Sequence, residues 1–134
     1  TIRSFDPDVR VLLEERIRDL CLGVEKMHGV NIQLEYEHGY PATVNHEKET
    51  KRAVEIAKEV VDQSMIDADI PPTMGGEDFS YMLQERPGAF MWIGGGKTDN
   101  DPSLHHPKYD FNDDILPLGA SYWSKLVETE LSKI

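Results

Sequence analysis

Apolar residues recur at helical spacing near the start of the chain, and this repeat most constrains what the chain can fold into. They stand three or four positions apart, which lines one face of an α-helix: Val9, Leu13, Ile17, Leu20, Val24 and Met27. Asp6 offers an N-cap, Pro7 suits the first helical position and Gly29 suits a stop. The sequence therefore predicts one long amphipathic helix.

Extended segments are expected on both sides of this helix. Residues 2–5 are short and extended, and residues 32–37 alternate apolar with polar side chains, the period of a strand with one buried face. Residues 1–38 are thus predicted to be strand-helix-strand, half of a ferredoxin-like fold. Two strands leave sheet edges unpaired, so this block requires more strands than the chain contains. The run His38-Gly39-Tyr40-Pro41 breaks the pattern and marks the expected boundary.

Residues 39–134 form the second predicted domain. Asn45 is expected to cap a helix from about His46 to Asp62, and Asp114 to cap the final helix. Between them, the apolar run 89–93 predicts a fully buried central strand. The expected inward residues of the two helices are Ala53, Val54, Ala57, Val60, Val61, Leu118, Tyr122, Lys125 and Leu126, with Trp123 and Val127 beside the last four. Alternating helices and strands are typical of an α/β layered sheet, so the predicted fold class is α/β (α+β).

A loop with two adjacent histidines follows the predicted strand. Leu104-His105-His106-Pro107 lies among Gly, Asp, Asn and Pro residues that favour neither helix nor central strand. In layered α/β sheets the site lies at the carboxyl ends of strands, and neutral imidazole is a common metal ligand. The alternative is that both are solvated loop histidines, because no H-x-x-x-H or C-x-x-C partner lies nearby.

A second candidate loop carries Gly75, Gly76, Glu77 and Asp78 after two prolines. The glycines let the backbone approach a ligand closely with free N–H donors, and the carboxylates open a short helix. The alternative is a plain turn followed by an acidic first helical turn, which the helix dipole favours.

Composition excludes several classes of function. Fourteen basic against 25 acidic residues give a net charge of −11, which argues against nucleic acid and anionic membranes as partners. One cysteine, Cys21, excludes an internal disulfide and is interpreted as a buried structural thiol. His28, His38 and His46 match no metal motif and are interpreted as surface residues. No run of 18 apolar residues is present, and a cytoplasmic location is expected.

Four ordered motifs together resemble a known family: Pro-Pro-Thr-Met-Gly-Gly-Glu-Asp-Phe-Ser-Tyr at 71–81, Pro-Gly-Ala-Phe at 87–90, Leu-His-His-Pro at 104–107 and Asp-Asp-Ile-Leu-Pro-Leu-Gly-Ala at 113–120. The chain resembles the C-terminal third of the N-acyl-amino-acid amidohydrolases, the hippurate hydrolase and auxin-conjugate hydrolase branch of the aminoacylase and carboxypeptidase metallohydrolases. The resemblance implies that residues 1–38 are half of a lid and dimerisation domain. It also implies that residues 39–134 are the last segment of the catalytic domain.

The resemblance further implies a function and a site. A full-length member would cleave the amide bond of N-acyl amino acids or related conjugates with water activated by two divalent metals (Zn, Mn, Co or Ni), and would form a homodimer through the lid. His105 matches the last metal ligand, His106 is left out of the coordination sphere, and Gly75, Gly76 and Glu77 match the loop that approaches the substrate. The general base lies upstream, so the fragment has no catalytic residue and is expected to be inactive.

Two alternatives remain open at this stage. One is a small ferredoxin-like module for dimerisation or ligand binding without catalysis. The other is a self-sufficient small metalloenzyme, against which stands the ligand count, because a catalytic metal site needs three or more protein ligands.

Overall fold

The computed structural model describes residues 1–96, 98 and 100–131, and within them the regular structure is helical. The α-helices are α1 (Pro7–His28), α2 (Glu47–Lys58), α3 (Phe79–Glu85) and α4 (Leu116–Leu131), and 3₁₀ turns span Gln63–Met65 and Asp113–Ile115. Asp99 of the predicted histidine-loop region lies outside the described residues. None of the described helices combines the length and apolar content that crossing a membrane requires.

The predicted α/β (α+β) fold class is wrong for the described part of the chain. Residues 1–96, 98 and 100–131 contain no strand, so neither the strand-helix-strand lid nor the layered sheet is present. A strand exists only through hydrogen bonds to a neighbouring strand. The periodic patterns therefore indicate correctly which side chains favour burial, but they are wrong in predicting a neighbouring strand.

The segment expected as the second strand shows this distinction directly. Ile32, Leu34 and Tyr36 are half-buried, whereas the residues between them are exposed, so the alternation of the pattern is present in the structure. Its first peptide N–H, on Ile32, donates to the carboxylate of Glu25 on α1 at 2.6 Å. A side chain of the helix thus holds the segment where a strand would have used a backbone ladder.

The segment expected as a buried central strand is fastened by side chains too. The Asn45 amide donates to the Phe90 carbonyl at 2.8 Å and accepts from the Phe90 N–H at 2.7 Å. The backbone N–H of His46 donates to the Gly88 carbonyl at 3.0 Å, and the Gly88 N–H donates to Nδ1 of His46 at 3.2 Å. Asn45 therefore replaces a neighbouring strand and does not cap α2, whose N-cap residue His46 makes no side-chain cap bond.

The apolar run 89–93 is consequently not buried in a sheet. Trp92 is 59% exposed and Ile93 is 45% exposed. Ile93 lies beside α4, because a methyl group built on Gly119 would meet its Cδ1 at 3.5 Å. Residues 89–93 therefore form a loop with one side exposed to solvent.

The long first helix confirms the local prediction. Asp6 is its N-cap and accepts from the N–H groups of Asp8 and Val9, Pro7 stands at the first position, and Gly29 ends the helix with a φ of 66°. Such a left-handed φ favours glycine, which has no Cβ to clash. No residue of α1 is fully buried, however, and Cys21 is only half-buried.

The chain divides into two compact units. The first unit contains residues 1–44 and 71–87, and the second contains residues 45–70 and 88–134. In the first, Leu83 and Ser80 of α3 are buried. In the second, α2 packs on α4. Its buried residues are Ala53, Ile56 and Tyr122.

Ion pairs border the contact between α2 and α4. Lys125 of α4 pairs with Glu59 at 2.6 Å, and this hydrogen bond raises the pKa of the lysine. Arg52 of α2 pairs with Glu130. Leu118, Lys125 and Leu126 are half-buried on the expected face of α4. Trp123 and Val127, also expected on this face, are exposed, so the prediction of the buried face is correct only in part. Asn112 rather than Asp114 caps the preceding 3₁₀ turn.

Replacing Asn45 with Ala should destabilise the second unit by about 1–2 kcal/mol, because two hydrogen bonds to the Phe90 backbone are lost. Urea unfolding measures the change. Gln33→Ala is the matched control. Within the described residues that exposed amide makes a single long hydrogen bond, to Glu35 at 3.4 Å, and its loss should change the free energy of unfolding by less than about 0.5 kcal/mol. Equal effects of the two variants would contradict the role assigned to Asn45.

Candidate functional site

The candidate metal ligand His105 sits in a strained turn. The His106 N–H donates to the Ser103 carbonyl at 3.1 Å, which closes a four-residue turn with His105 in third place. The φ of His105 is 68°, the left-handed value that a type II turn needs at this position and that glycine usually supplies. The imidazole is exposed and makes no hydrogen bond within the described part of the chain. The turn thus presents this ring to its surroundings.

The neighbouring His106 has a different role. Its Nδ1 accepts from the Lys108 N–H at 3.1 Å, and its carbonyl accepts from the Tyr109 N–H at 2.9 Å. The first of these bonds resembles the turn that a serine side chain makes with the backbone two residues on. His106 therefore stabilises the loop through two hydrogen bonds.

Tyr109 carries this loop back toward the segment after Ile93. Its ring packs edge-on against Phe111 with centroids 5.3 Å apart. A Cβ built on Gly95 would lie 3.6 Å from the Tyr109 hydroxyl. The segment after the His105 turn is therefore positioned by Tyr109, which lies beside Phe111 and Gly95, and not by buried core residues.

The glycine loop lies in the first unit, before α3. Gly75 and Gly76 are exposed, and within the described residues their N–H groups donate to no other group of the chain. A Cβ on Gly76 would meet Cδ2 of Tyr40 at 3.3 Å, which is a tight contact, whereas one on Gly75 would meet only Thr73 at an ordinary 3.7 Å. Gly76 is thus required by a close neighbour, and Gly75 is not.

Glu77 acts first on its own backbone. Its carboxylate accepts from the Phe79 N–H at 3.3 Å, and its carbonyl accepts from the Ser80 hydroxyl at 2.6 Å. Ser80 is fully buried, so this second bond anchors the end of the loop. Glu77 therefore stabilises the start of α3.

The described residues do not complete a metal site. No group of three or more His, Cys, Asp or Glu side chains within them could hold an ion. His105 lies in the second unit and the 75–77 loop in the first. One exposed imidazole is compatible with a contributed ligand and falls short of the three or more that a catalytic site uses.

Of the other three histidines, two match their expected roles and one does not. His28 and His38 are exposed, as the sequence suggests, and His38 contacts Glu14 at 2.9 Å. His46 is half-buried and bonds Gly88, so it is a structural residue rather than a surface one. No spacing rule could have identified that role, because its partner lies 42 residues away.

Comparison with a protein-family model tests the resemblance that the motifs indicate. Residues 5–129 match the model of peptidase family M20/M25/M40. The chain belongs to this family. Family members generally depend on two metal ions. This match confirms the resemblance carried by the four motifs.

Individual relatives agree with the assignment. A Bacillus subtilis protein named amidohydrolase YhaA is 44% identical over 123 residues, which is 90% of this chain and 31% of that protein. The hippurate hydrolase of Campylobacter jejuni is 30% identical over 126 residues, 94% of this chain and 32% of the enzyme. The chain therefore spans about a third of the length of the curated relatives it matches.

A solved structure supports the same relationship. The crystal structure of a protein described as an aminohydrolase, from methicillin-resistant Staphylococcus aureus, matches with a TM-score of 0.64 and 30% identity. The match covers 90% of this chain and 31% of that chain. These relatives support a hydrolase function for a protein that contains this chain.

The strain at His105 gives a stability prediction. His105→Gly should be about 1 kcal/mol more stable than His105→Ala, because only glycine adopts a positive φ without a Cβ clash. Urea unfolding monitored by tryptophan fluorescence measures both variants. At Ser103, whose φ is not positive, the order should reverse, with Gly less stable than Ala. Alanine more stable than glycine at position 105 would contradict the turn geometry.

Proposed function

We propose that this chain supplies the His105-bearing segment of a metal-dependent amidohydrolase that cleaves N-acyl amino acids or related conjugates. The observation that carries the proposal is the presentation of His105, an exposed imidazole on a left-handed turn with no hydrogen-bond partner among the described residues. A residue held at an unfavourable φ is common where the side chain serves a function.

His105 would contribute one ligand to a pair of divalent ions, Zn, Mn, Co or Ni. Bound metal supplies a water of lowered pKa and polarises the scissile carbonyl. The remaining ligands and the general base would come from the part of the relatives that this chain does not match. The positive φ fixes the direction of the backbone at His105, which in turn limits where the imidazole can reach.

The Gly75–Gly76 loop would contact the substrate. Its exposed N–H groups are donors that could meet a substrate carboxylate or the carbonyl oxygen as negative charge develops on it. Hydrolysis adds water across the amide, so that a carboxylic acid and an amine leave. Glu77 would orient this loop through its bonds to Phe79 and Ser80.

The competing functions lose support. A ferredoxin-like ligand or dimerisation module requires strands on both sides of α1, and the described residues have none. A self-sufficient small metalloenzyme requires several ligands close together, and no such group occurs in the described chain. The family match favours a hydrolase over either reading.

In an enzyme of the relatives' full length that contains this chain, His105→Ala should abolish amide hydrolysis, because a metal ligand is lost. Hydrolysis of N-acetyl and N-benzoyl amino acids and the metal content of the purified protein are the measurements. Full activity and full metal content in His105→Ala would contradict the ligand assignment.

His106→Ser is the matched control for that experiment. A serine hydroxyl can accept from the Lys108 N–H in place of Nδ1, so activity should be retained. The 134-residue chain alone should show no turnover with any added divalent metal. Metal-dependent turnover by this chain would overturn the proposal that it is one segment of the site.

We also propose that the chain self-associates through α1 as a homodimer. The helix exposes large apolar side chains, with Leu20 68% and Met27 78% exposed, and a second copy would cover them. Light scattering across a concentration series should show a dimer or larger species, and Leu20→Glu with Met27→Glu should shift it to monomer. The wild-type chain remaining monomeric at high concentration would contradict this proposal.

A further inference from the structure

An arginine of α1 grips the backbone of the segment that follows residue 37. The guanidinium of Arg10 donates to the carbonyl of Gly39 at 2.7 Å and to the carbonyl of Tyr40 at 3.1 Å. Two parallel bonds from one planar group define an orientation as well as a position. The backbone carbonyls of Gly39 and Tyr40 are therefore held in one place relative to α1.

A second contact from the same face of α1 secures the residue before this peptide. Glu14, one helical turn after Arg10, contacts Nε2 of His38 through Oε2 at 2.9 Å. Arg18, one further turn along, holds the other oxygen of Glu14 at 2.6 Å. The Arg18 hydrogen bond and the His38 charge lower the pKa of Glu14, and the carboxylate is only 18% exposed. Arg10, Glu14, His38 and Tyr40 are called the clasp below.

The clasp ends at the glycine loop. Cδ2 of Tyr40 lies 3.3 Å from the position that a Cβ of Gly76 would occupy. The same ring meets Tyr81 of α3 edge-on, with centroids 5.9 Å apart and planes at 78°. Tyr40 therefore packs against Tyr81 and occupies the space into which a side chain at position 76 would project, with Nη1 of Arg3 next nearest at 3.6 Å.

We propose that the clasp positions the Gly75–Glu77 loop, with Arg10 and Tyr40 as positioning residues that act on Gly76. The loop has one anchor after it, the buried Ser80 hydroxyl bonded to the Glu77 carbonyl. The Tyr40 ring supplies the second anchor, at Gly76. This inference rests on the proposed function only for the loop's role toward substrate, and its structural part stands independently.

The Tyr40 ring explains why a residue without a side chain is needed at position 76. A side chain at position 76 would displace the Tyr40 ring, because the contact is already tight for a carbon atom. At Gly75 the same addition meets only an ordinary contact. The two glycines thus provide a matched pair of test positions one residue apart.

Nuclear magnetic resonance on the 134-residue chain tests the structural part without any assay of activity. The Tyr40 ring current should change the chemical shifts of the Gly76 α-hydrogens. This change should be lost in Tyr40→Ala and in Arg10→Ala. The order parameters of the Gly75, Gly76 and Glu77 amides should fall below about 0.6 in both variants. Tyr40→Phe should restore the wild-type values, because the contact uses ring carbon and not the hydroxyl.

Further variants guard against loss of folding. Circular dichroism should show the wild-type helix content for Arg10→Ala, and Arg10→Lys, which retains the charge but not the two-pronged donor, should fall between wild type and Ala. Gly76→Ala should move the Tyr40 ring resonances, and Gly75→Ala should not. A Gly76 signal unchanged in both Tyr40→Ala and Arg10→Ala would overturn the proposal, even if one of the two variants loses helix content.

Kinetics in an enzyme of full length separate this inference from the proposed function. Arg10→Ala should raise KM for N-acyl amino acids and leave the metal content unchanged, with partial rescue by Arg10→Lys. A lost Gly76 ring-current shift with unchanged KM would uphold the clasp and overturn the substrate role of the loop. An intact shift with raised KM would overturn the clasp.

Discussion

The pairing of residues 45 and 46 with residues 88–90 is the interaction on which the second unit depends. An extended backbone must satisfy its N–H and carbonyl groups, and without a neighbouring strand it needs side chains for that purpose. Asn45 offers a donor and an acceptor in one planar amide, which reproduces the two bonds of a strand pair with Phe90. Since α2 begins at Glu47, these bonds attach the apolar run directly to the start of that helix.

Exposed apolar side chains show what the pairing does not achieve. Trp92, Leu20 and Met27 remain largely exposed, at 59%, 68% and 78%. Each lies in a segment whose sequence pattern predicts that this side chain is buried. The hydrophobic effect favours covering such residues by whatever surface is available.

Helices were predictable from the sequence, and strands were not, for one physical reason. The signals that begin and end α1 act within a few residues: Asp6 bonds the next two N–H groups, and Gly29 takes the left-handed φ. A strand requires a partner far along the chain or on another chain, and alternation alone does not reveal whether that partner exists. The glycine loop and the histidine turn were found as candidates by residue type. The contacts of Tyr40 at Gly76 and of the Asn45 amide with Phe90 join residues far apart in the sequence, so no local pattern could reveal them.

The turn at His105 reveals a conflict between stability and chemistry. Glycine would fit the positive φ without strain, and among the described residues the other position with a positive φ is occupied by a glycine, Gly29. An imidazole at position 105 makes no bond in the described chain that would repay the strain, whereas His106 beside it bonds the Lys108 N–H. Strain without internal compensation is expected where the compensation comes from a bound group. The contrast between these adjacent histidines therefore favours His105, and not His106, as the ring that contacts something outside this chain.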